Sequence, residues 1–277
     1  DLCKVPVLGV VPYYRGIYIE EEDSVMLESK NREAAAGKIN VAVILLRHLS
    51  NFTDFNVLER DERVHLYYTN NVDDITKADI ILLPGSKNTL DDLYELRRNG
   101  VAQAILKASQ EGATVMGICG GYQMMGLEVR DPEGVEGNVR MLPGLGLLPV
   151  ITTMQGDKVT RQVEFTFDGT EALCKGYEIH MGESTISEDG ANPFARIFNT
   201  VDKTEYMDGC VRGNTAGTYM HGIFDGQEFC DSLINMLCAR YGITSKSGVR
   251  ISFDEYKQRE YDKLADVIRE NMDMKYI

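Results

Sequence analysis

Thr114-Val115-Met116-Gly117-Ile118-Cys119-Gly120-Gly121-Tyr122-Gln123 is a β-branched run that ends in the spacing Gly-x-nucleophile-x-Gly. That spacing marks a strand-to-helix elbow. Gly117 and Gly121 leave room for a turn in which neighbouring backbones nearly touch, and Cys119 is then pushed out at the top of a sheet. Its sulfur faces the N–H groups of a helix start, which favour a thiolate over a thiol. A buried cysteine in a glycine turn has the same local sequence, so the surroundings have to decide.

Apolar runs of strand length and β-branched content precede the elbow at residues 4–11, 39–46, 64–68 and 79–83, with 114–118 as the elbow's own strand. Between the last two, residues 91–110 place Leu93, Leu96, Val101, Ala104, Ile105 and Ala108 at largely three- and four-residue spacings, which predicts one amphipathic helix. Continuous apolar strands alternating with helices predict a parallel sheet covered on both faces, whose chemistry lies at the carboxyl ends of the strands. After Gly126 the pattern changes to Gly, Pro and short β-type runs at 146–153, 162–167 and 175–180, an antiparallel extension. Helical patterns return at 227–241 and 253–272.

The chain has 277 residues, 43% apolar and 26% charged, close to the globular average of about 45% and 25%. Its formal charge of −14 repels phosphate backbones and anionic lipid, and no basic run offsets it. Nucleic acid and membrane are therefore not expected partners. The longest purely aliphatic run, 41–46, is far below the roughly 20 residues of a membrane helix. The six cysteines (3, 119, 174, 210, 230 and 238) contain no CxxC pair, which argues against a disulfide framework or any metal site and for a cytoplasmic protein. Residue 1 is Asp, and the opening has no basic stretch leading into an apolar one, so the chain reads as part of a longer protein. Residues 1–38, with the acidic run 20–23, are expected to be the tail of an upstream domain and a linker, and residues 39–277 the domain itself.

Cys119 needs a base. His221, in Gly217-Thr-Tyr-Met-His221-Gly-Ile-Phe, follows a short β-type run and so sits where a strand leaves the sheet, placed to deprotonate a thiol and protonate a leaving amine. His48 and His65 fit structural roles better, and His180 is undecided. In Ile80-Ile-Leu-Leu-Pro-Gly85-Ser86, a buried strand runs into a turn at the same sheet edge. The backbone N–H groups of Gly85 and Ser86, with that of Gly120, can stabilise an oxyanion.

GICGGYQMMG (117–126) with a downstream HG resembles the class I glutamine amidotransferase domains, in the branch of the cobyric acid synthases. The agreeing segments are spread over most of the chain: VPYY (11–14) with EEDSV (21–25), RHLSNFTDF (47–55), LLPGSKNT (82–89), GLGLLPV (144–150), GYEIHMG (176–182) and GTYMHGIFD (217–225). PGSKNT and SNFTDF favour that branch over the related a,c-diamide synthases. The resemblance implies a flavodoxin-like α/β fold. It implies that Cys119 attacks the carboxamide of glutamine, forms a thioester and releases ammonia, and that Gln123 helps to hold the glutamine. The ammonia would amidate corrin-ring carboxylates activated by ATP and Mg in an upstream synthetase domain that also binds the corrinoid. No GxxxxGK[ST] phosphate loop exists in this chain, so no cofactor is expected in it. Class I glutaminases carry a glutamate two residues after the histidine, and here that position is Ile223. The residues therefore predict a Cys119/His221 dyad, with Asp225 and Glu178 as weak candidates for the histidine's partner. A cell-wall amidating glutaminase, a thiol hydrolase on the same elbow and a binding scaffold are the alternatives.

Overall fold

Strands form where apolar side chains run without interruption, and helices where those side chains recur every third or fourth residue. The computed structural model describes residues 5–14, 16–19, 30–167, 173–187, 191–244 and 251–276. In chain order the elements are β1 (Ile39–Ile44), β2 (Leu49–Ser50), a 3₁₀ turn (Phe52–Phe55), α1 (Asn56–Glu59), β3 (Val64–Thr69), α2 (Val72–Ile75), β4 (Ile80–Leu83) and β5 (Gly85–Ser86). Then come α3 (Thr89–Arg98), α4 (Val101–Gln110), β6 (Thr114–Ile118), α5 (Gly120–Met125), β7 (Glu128–Arg130), β8 (Met141–Pro143), β9 (Val150–Phe167) and β10 (Cys174–Ile186). The chain continues through β11 (Ala195–Asn199), β12 (Glu205–Asp208), β13 (Cys210–Arg212), β14 (Thr215–Thr218), β15 (Met220–His221), α6 (Gln227–Tyr241) and α7 (Phe253–Asn271).

Among the described residues the main sheet runs β13-β14-β6-β4-β1-β3, parallel except for the β13–β14 edge. With the parallel strands renumbered in chain order this is 2-1-3-4-5, the doubly wound flavodoxin-like arrangement. Alternation along β1 sends Ile39, Val41 and Val43 into one apolar layer with α1 and α6, and Ala42 and Ile44 into the other with α3 and α4. Both faces are thus covered, as uninterrupted apolar strands require. The antiparallel extension is larger than its short sequence runs suggest: β9 and β10 pair from Val150–Ile186 inward to Phe165–Cys174, and β15 adds to β10 through Tyr177–His221. That last pair carries the histidine from the main sheet's edge to the extension.

The helix expected over 91–110 is two helices. Its apolar stripe is continuous, but Gly100 sits at φ +85° and caps α4 separately from α3. A left-handed residue cannot continue a helix, and periodicity does not detect it.

By packing, the described residues fall into two compact units, one within 24–246 and the other drawn from 1–23 and 247–277. In the second unit Ser252 Oγ caps α7 by accepting the Glu255 N–H, and Tyr18 N–H donates to Glu260 Oε2 at 2.8 Å. The strand expected at 4–11 is a single bridge between Gly9 and Met272, and Val5, Val7 and Val10 are exposed. β-type residues do not make a strand without a ladder to join. Cys3 and the acidic run 20–23 lie outside the described residues.

Candidate active site

Cys119 leaves β6 with φ +54° and ψ −111°, a conformation that costs a non-glycine residue about 1–3 kcal/mol and turns its side chain out of the sheet. The two glycines are required by contact rather than by flexibility. A Cβ on Gly121 would lie 2.0 Å from the Leu83 carbonyl oxygen, and one on Gly117 would lie 2.6 Å from the Tyr122 nitrogen. Cys119 N–H donates to the Thr218 carbonyl at 2.8 Å, tying the elbow to the strand that leads to His221. The thiol itself donates to the Ile179 carbonyl of β10 at 3.5 Å.

His221 is fully buried, and its Nδ1 donates to Asp54 Oδ2 at 2.7 Å. The other carboxylate oxygen, Oδ1, accepts the Gly222 N–H at 3.1 Å, so Asp54 grips both the imidazole and the backbone beside it. Tyr177 stacks on the ring at 5.0 Å and 17°, and the Tyr177 hydroxyl accepts from Asn51 Nδ2 at 2.8 Å. Burial opposes a charge on the ring, but the Asp54 carboxylate and the nearby Cys119 sulfur outweigh it and push the imidazole pKa up to about 10. His221 therefore carries its proton at neutral pH. The His221 Nε2 has no hydrogen-bond partner among the described residues.

The place behind the histidine, for which Asp225 and Glu178 were the candidates, is taken by Asp54, in the 3₁₀ turn of the SNFTDF segment, which engages Nδ1. Glu178 instead binds the Arg161 guanidinium and accepts from the Tyr206 hydroxyl at 2.7 Å. Ile223 is fully buried and apolar. Residue spacing could not point to an acid 167 positions away; the signal was a carboxylate in a segment noted only for its resemblance.

β2 and β5 pair antiparallel, Leu49 with Ser86 and Ser50 with Gly85, and Lys87 N–H donates to the His48 carbonyl at 2.9 Å. Antiparallel ladders alternate, so the 50–85 pair is hydrogen-bonded and the 49–86 pair is not. Gly85 N–H is thus turned into the ladder, whereas Ser86 N–H is turned away from it. The Ser86 nitrogen lies 2.9 Å from where a Gly120 Cβ would be, and Gly120 N–H is among the unpaired donors of the α5 start. Of the three expected oxyanion donors, Ser86 N–H lies beside Gly120, the residue that follows Cys119, whereas Gly85 N–H is taken up by the ladder; a Cβ on Gly85 would sit 2.9 Å from Ser50 Oγ and 3.5 Å from His221 Cε1.

Gln123 does not present its amide to the site. It is 2% exposed, its Oε1 accepts from Thr89 Oγ1, and its Nε2 donates to the Met181 carbonyl at 2.8 Å and to the Tyr219 hydroxyl at 3.2 Å. Its amide thus ties α5 to α3 through Thr89, to β10 through Met181 and to the β14–β15 connection through Tyr219. His180 stacks on Tyr219 at 3.8 Å, its Nδ1 lies 3.2 Å from the Gly182 carbonyl oxygen, and burial lowers its pKa. His48 and His65 lie elsewhere, the former against Asp92 and the latter against the Glu33 carbonyl. Cys174, Cys210, Cys230 and Cys238 are buried, and no described group of His, Cys, Asp and Glu could hold a metal. No described helix is long and apolar enough to cross a membrane.

A strained cysteine, a buried His–Asp pair and the neighbouring backbone amides of Ser86 and Gly120 are the parts of a thiol acyl-transfer site. The chain spans about half the length of the curated relatives it matches. The cobyric acid synthase of Phocaeicola vulgatus is 59% identical over 276 residues, covering 99% of this chain and 54% of that protein. That of Parabacteroides distasonis is 50% identical over 281 residues, covering 100% and 55%. A chain from the structure of PurLQS from Thermotoga maritima superposes with a TM-score of 0.54 at 20% identity, over 72% of this chain and 99% of that one, a likeness of fold alone. The model of the CobB/CobQ-like glutamine amidotransferase domain matches residues 40–229, from the second residue of β1 through the nucleophile and the base into α6, and the chain belongs to that family.

Proposed function

We propose that this chain is the glutaminase part of a cobyric acid synthase. The Cys119 thiolate attacks the side-chain carboxamide carbon of glutamine, and the oxygen that becomes negative is received by the N–H groups of Ser86 and Gly120. His221, already protonated and held by Asp54, gives its proton to the departing nitrogen, which leaves as ammonia while the γ-glutamyl thioester remains on Cys119. Water then loses a proton to His221 and attacks the thioester, releasing glutamate and restoring the thiolate–imidazolium pair. Gln123 acts through the Met181 carbonyl, by fixing the strand that faces the sulfur.

The observation that carries the reading is the His221–Asp54 pair set against Cys119 at a strained elbow, within a chain 59% identical to named cobyric acid synthases. Those relatives are about twice as long, which leaves room for an ATP- and Mg-binding synthetase domain and its corrinoid acceptor. The whole protein would then be a cytoplasmic carbon–nitrogen ligase that uses glutamine as the amide donor in cobalamin biosynthesis. The names of the relatives favour this acceptor over that of the a,c-diamide synthases. The test is incubation with glutamine and, separately, with simple esters, measuring ammonia and acid. Ammonia and glutamate in equal amounts, absent with Cys119→Ser, support the reading; ester cleavage alone overturns it. With the full-length protein, ATP-dependent amidation of a corrinoid carboxylate by glutamine tests the acceptor.

A further inference from the structure

Asp92 lies in the first turn of α3, yet its carboxylate is 1% exposed. A buried carboxylate is costly unless donors surround it, and here the donors come from the oxyanion loop and its neighbour. Oδ2 accepts the Ser86 hydroxyl at 2.5 Å. Oδ1 accepts the His48 backbone N–H at 3.1 Å and lies 3.2 Å from His48 Nδ1. The Ser86 Oγ in turn accepts the Asn88 N–H at 3.0 Å, so the Ser86 side chain is fixed at both ends. His48 is the residue whose carbonyl receives Lys87 N–H across the β2–β5 ladder. Asp92 thus holds both sides of that two-residue ladder, and the ladder leaves Ser86 N–H turned out of the pairing, beside Gly120. His48 also faces Asp91 at 3.6 Å, and Arg47 lies 3.9 Å from the same carboxylate, which keeps the outer side of the clamp polar.

We propose that Asp92 is a positioning residue for the oxyanion site: by holding the Ser86 hydroxyl and the His48 amide together, it sets the direction of the Ser86 N–H and thereby the rate at which the thioester forms. The proposal rests on reading this chain as a glutaminase. Asp92→Asn removes the charge and one of the two acceptor atoms: the His48 N–H lies within reach of both carboxylate oxygens, 3.1 Å from Oδ1 and 3.3 Å from Oδ2, and in the variant one of those positions becomes an NH2 that pulls on the Ser86 hydroxyl or repels the His48 N–H.

The experiment compares wild type, Asp92→Asn, Ser86→Ala and the double variant in three measurements: glutamine hydrolysis, labelling of Cys119 by the chloroketone analogue of glutamine, and alkylation of Cys119 by iodoacetamide. The first two pass through an anionic oxygen at the site, whereas alkylation at saturated carbon does not. Removing an oxyanion donor outright costs about 100- to 1,000-fold, so misdirecting one should lower kcat by about 10- to 100-fold, with KM and the iodoacetamide rate within about threefold. The double variant should be no worse than the poorer single one, because both act through one contact. A kcat within about twofold of wild type in both single variants, iodoacetamide rates that fall in step with kcat, or losses that multiply in the double variant would each overturn the proposal. If Asp92→Asn does not fold, Ser86→Ala cuts the same contact from the exposed side and decides alone. Wild-type chain that neither hydrolyses glutamine nor takes the chloroketone at Cys119 overturns the glutaminase reading, and the proposal with it.

Discussion

In Asp54→Asn the two contacts of the carboxylate make incompatible demands, which gives the substitution a definite outcome. Oδ1 accepts the Gly222 N–H at 3.1 Å and Oδ2 accepts from His221 Nδ1 at 2.7 Å. The Gly222 amide can only donate, so the asparagine has to turn its oxygen toward it and its NH2 toward the imidazole. Nδ1 must then accept, and the ring proton of the neutral imidazole moves to Nε2, the nitrogen that has no described partner and is the one free to exchange protons with sulfur and substrate. In a Ser-His-Asp enzyme the wrong tautomer costs about 10⁴ in turnover. A thiol ionises far more readily than a serine hydroxyl, which reduces the dependence on the base, so the expected loss in kcat/KM is about 100- to 1,000-fold, or about 3–4 kcal/mol.

The same substitution removes the group that opposes the effect of burial on His221. Burial acts to lower the imidazole pKa, and with Asp54 present the balance lies at about 10. The protonated ring is the general acid for ammonia, so activity should fall as pH rises through that value in the wild type and at distinctly lower pH in Asp54→Asn. Ammonia release from glutamine measured between pH 6 and pH 11 reads both effects. A variant that retains kcat/KM within about tenfold of wild type, with its alkaline limb unmoved, would refute the relay.

Cys119→Ser should abolish glutamine hydrolysis with the fold retained, and a glutamine-analogue electrophile should label Cys119 alone, because burial pushes the Cys174 and Cys210 thiols up; mass mapping decides. Asp225→Asn and Glu178→Gln should each lower hydrolysis by less than about 100-fold, and Glu178→Gln should also lower the melting temperature because it weakens the contacts to Arg161 and Tyr206. Gly121→Ala places a Cβ 2.0 Å from the Leu83 carbonyl and should cost several kcal/mol, about 3 or more, in denaturant unfolding. Burial raises the Asp208 carboxyl to about 7, so its contribution to stability is complete below pH 4 and is lost as pH rises through 7; Asp208→Asn should gain on the wild type over that interval by up to about 4 kcal/mol, and equal pH slopes would contradict it. Calorimetry with ATP and magnesium should show no binding to this chain, which has no phosphate loop.

The legible parts of the molecule are those whose signal is local. Thr114–Ile118 is a strand because its side chains are buried on both faces, and Cys119 is a nucleophile candidate because two glycines flank it at a fixed spacing. Where a local pattern needed a distant partner, the reading failed. Residues 4–11 have strand composition, but the described ones form a single bridge, Gly9 with Met272, beside the Asp273 N–H to Leu8 carbonyl bond, and 91–110 has a helical stripe that Gly100 interrupts through its φ angle. Gln123 was assigned by position in a motif, and its neighbours Thr89, Met181 and Tyr219 show that its work is internal.

Asp54 is the instructive omission, because nothing in chemistry requires the acid of such a relay to stand near its histidine in sequence. What is required is a rigid segment that ends within hydrogen-bonding distance. Residues 48–54 meet that need at three points: β2 pairs with the oxyanion strand β5, Asn51 at φ +53° reaches Tyr177, and Asp54 reaches His221. Replacing the usual glutamate with the buried, apolar Ile223 therefore leaves the histidine held, but by an acid whose position depends on the β2–β5 register. A slip of one residue in that register would displace Asp54 by about 3.3 Å along the strand, more than the 2.7 Å bond to His221, and would turn Ser86 from a free position into a paired one. Orientation of the base and placement of the oxyanion donor consequently depend on one two-residue ladder, and a perturbation at either strand should affect both steps of the reaction together.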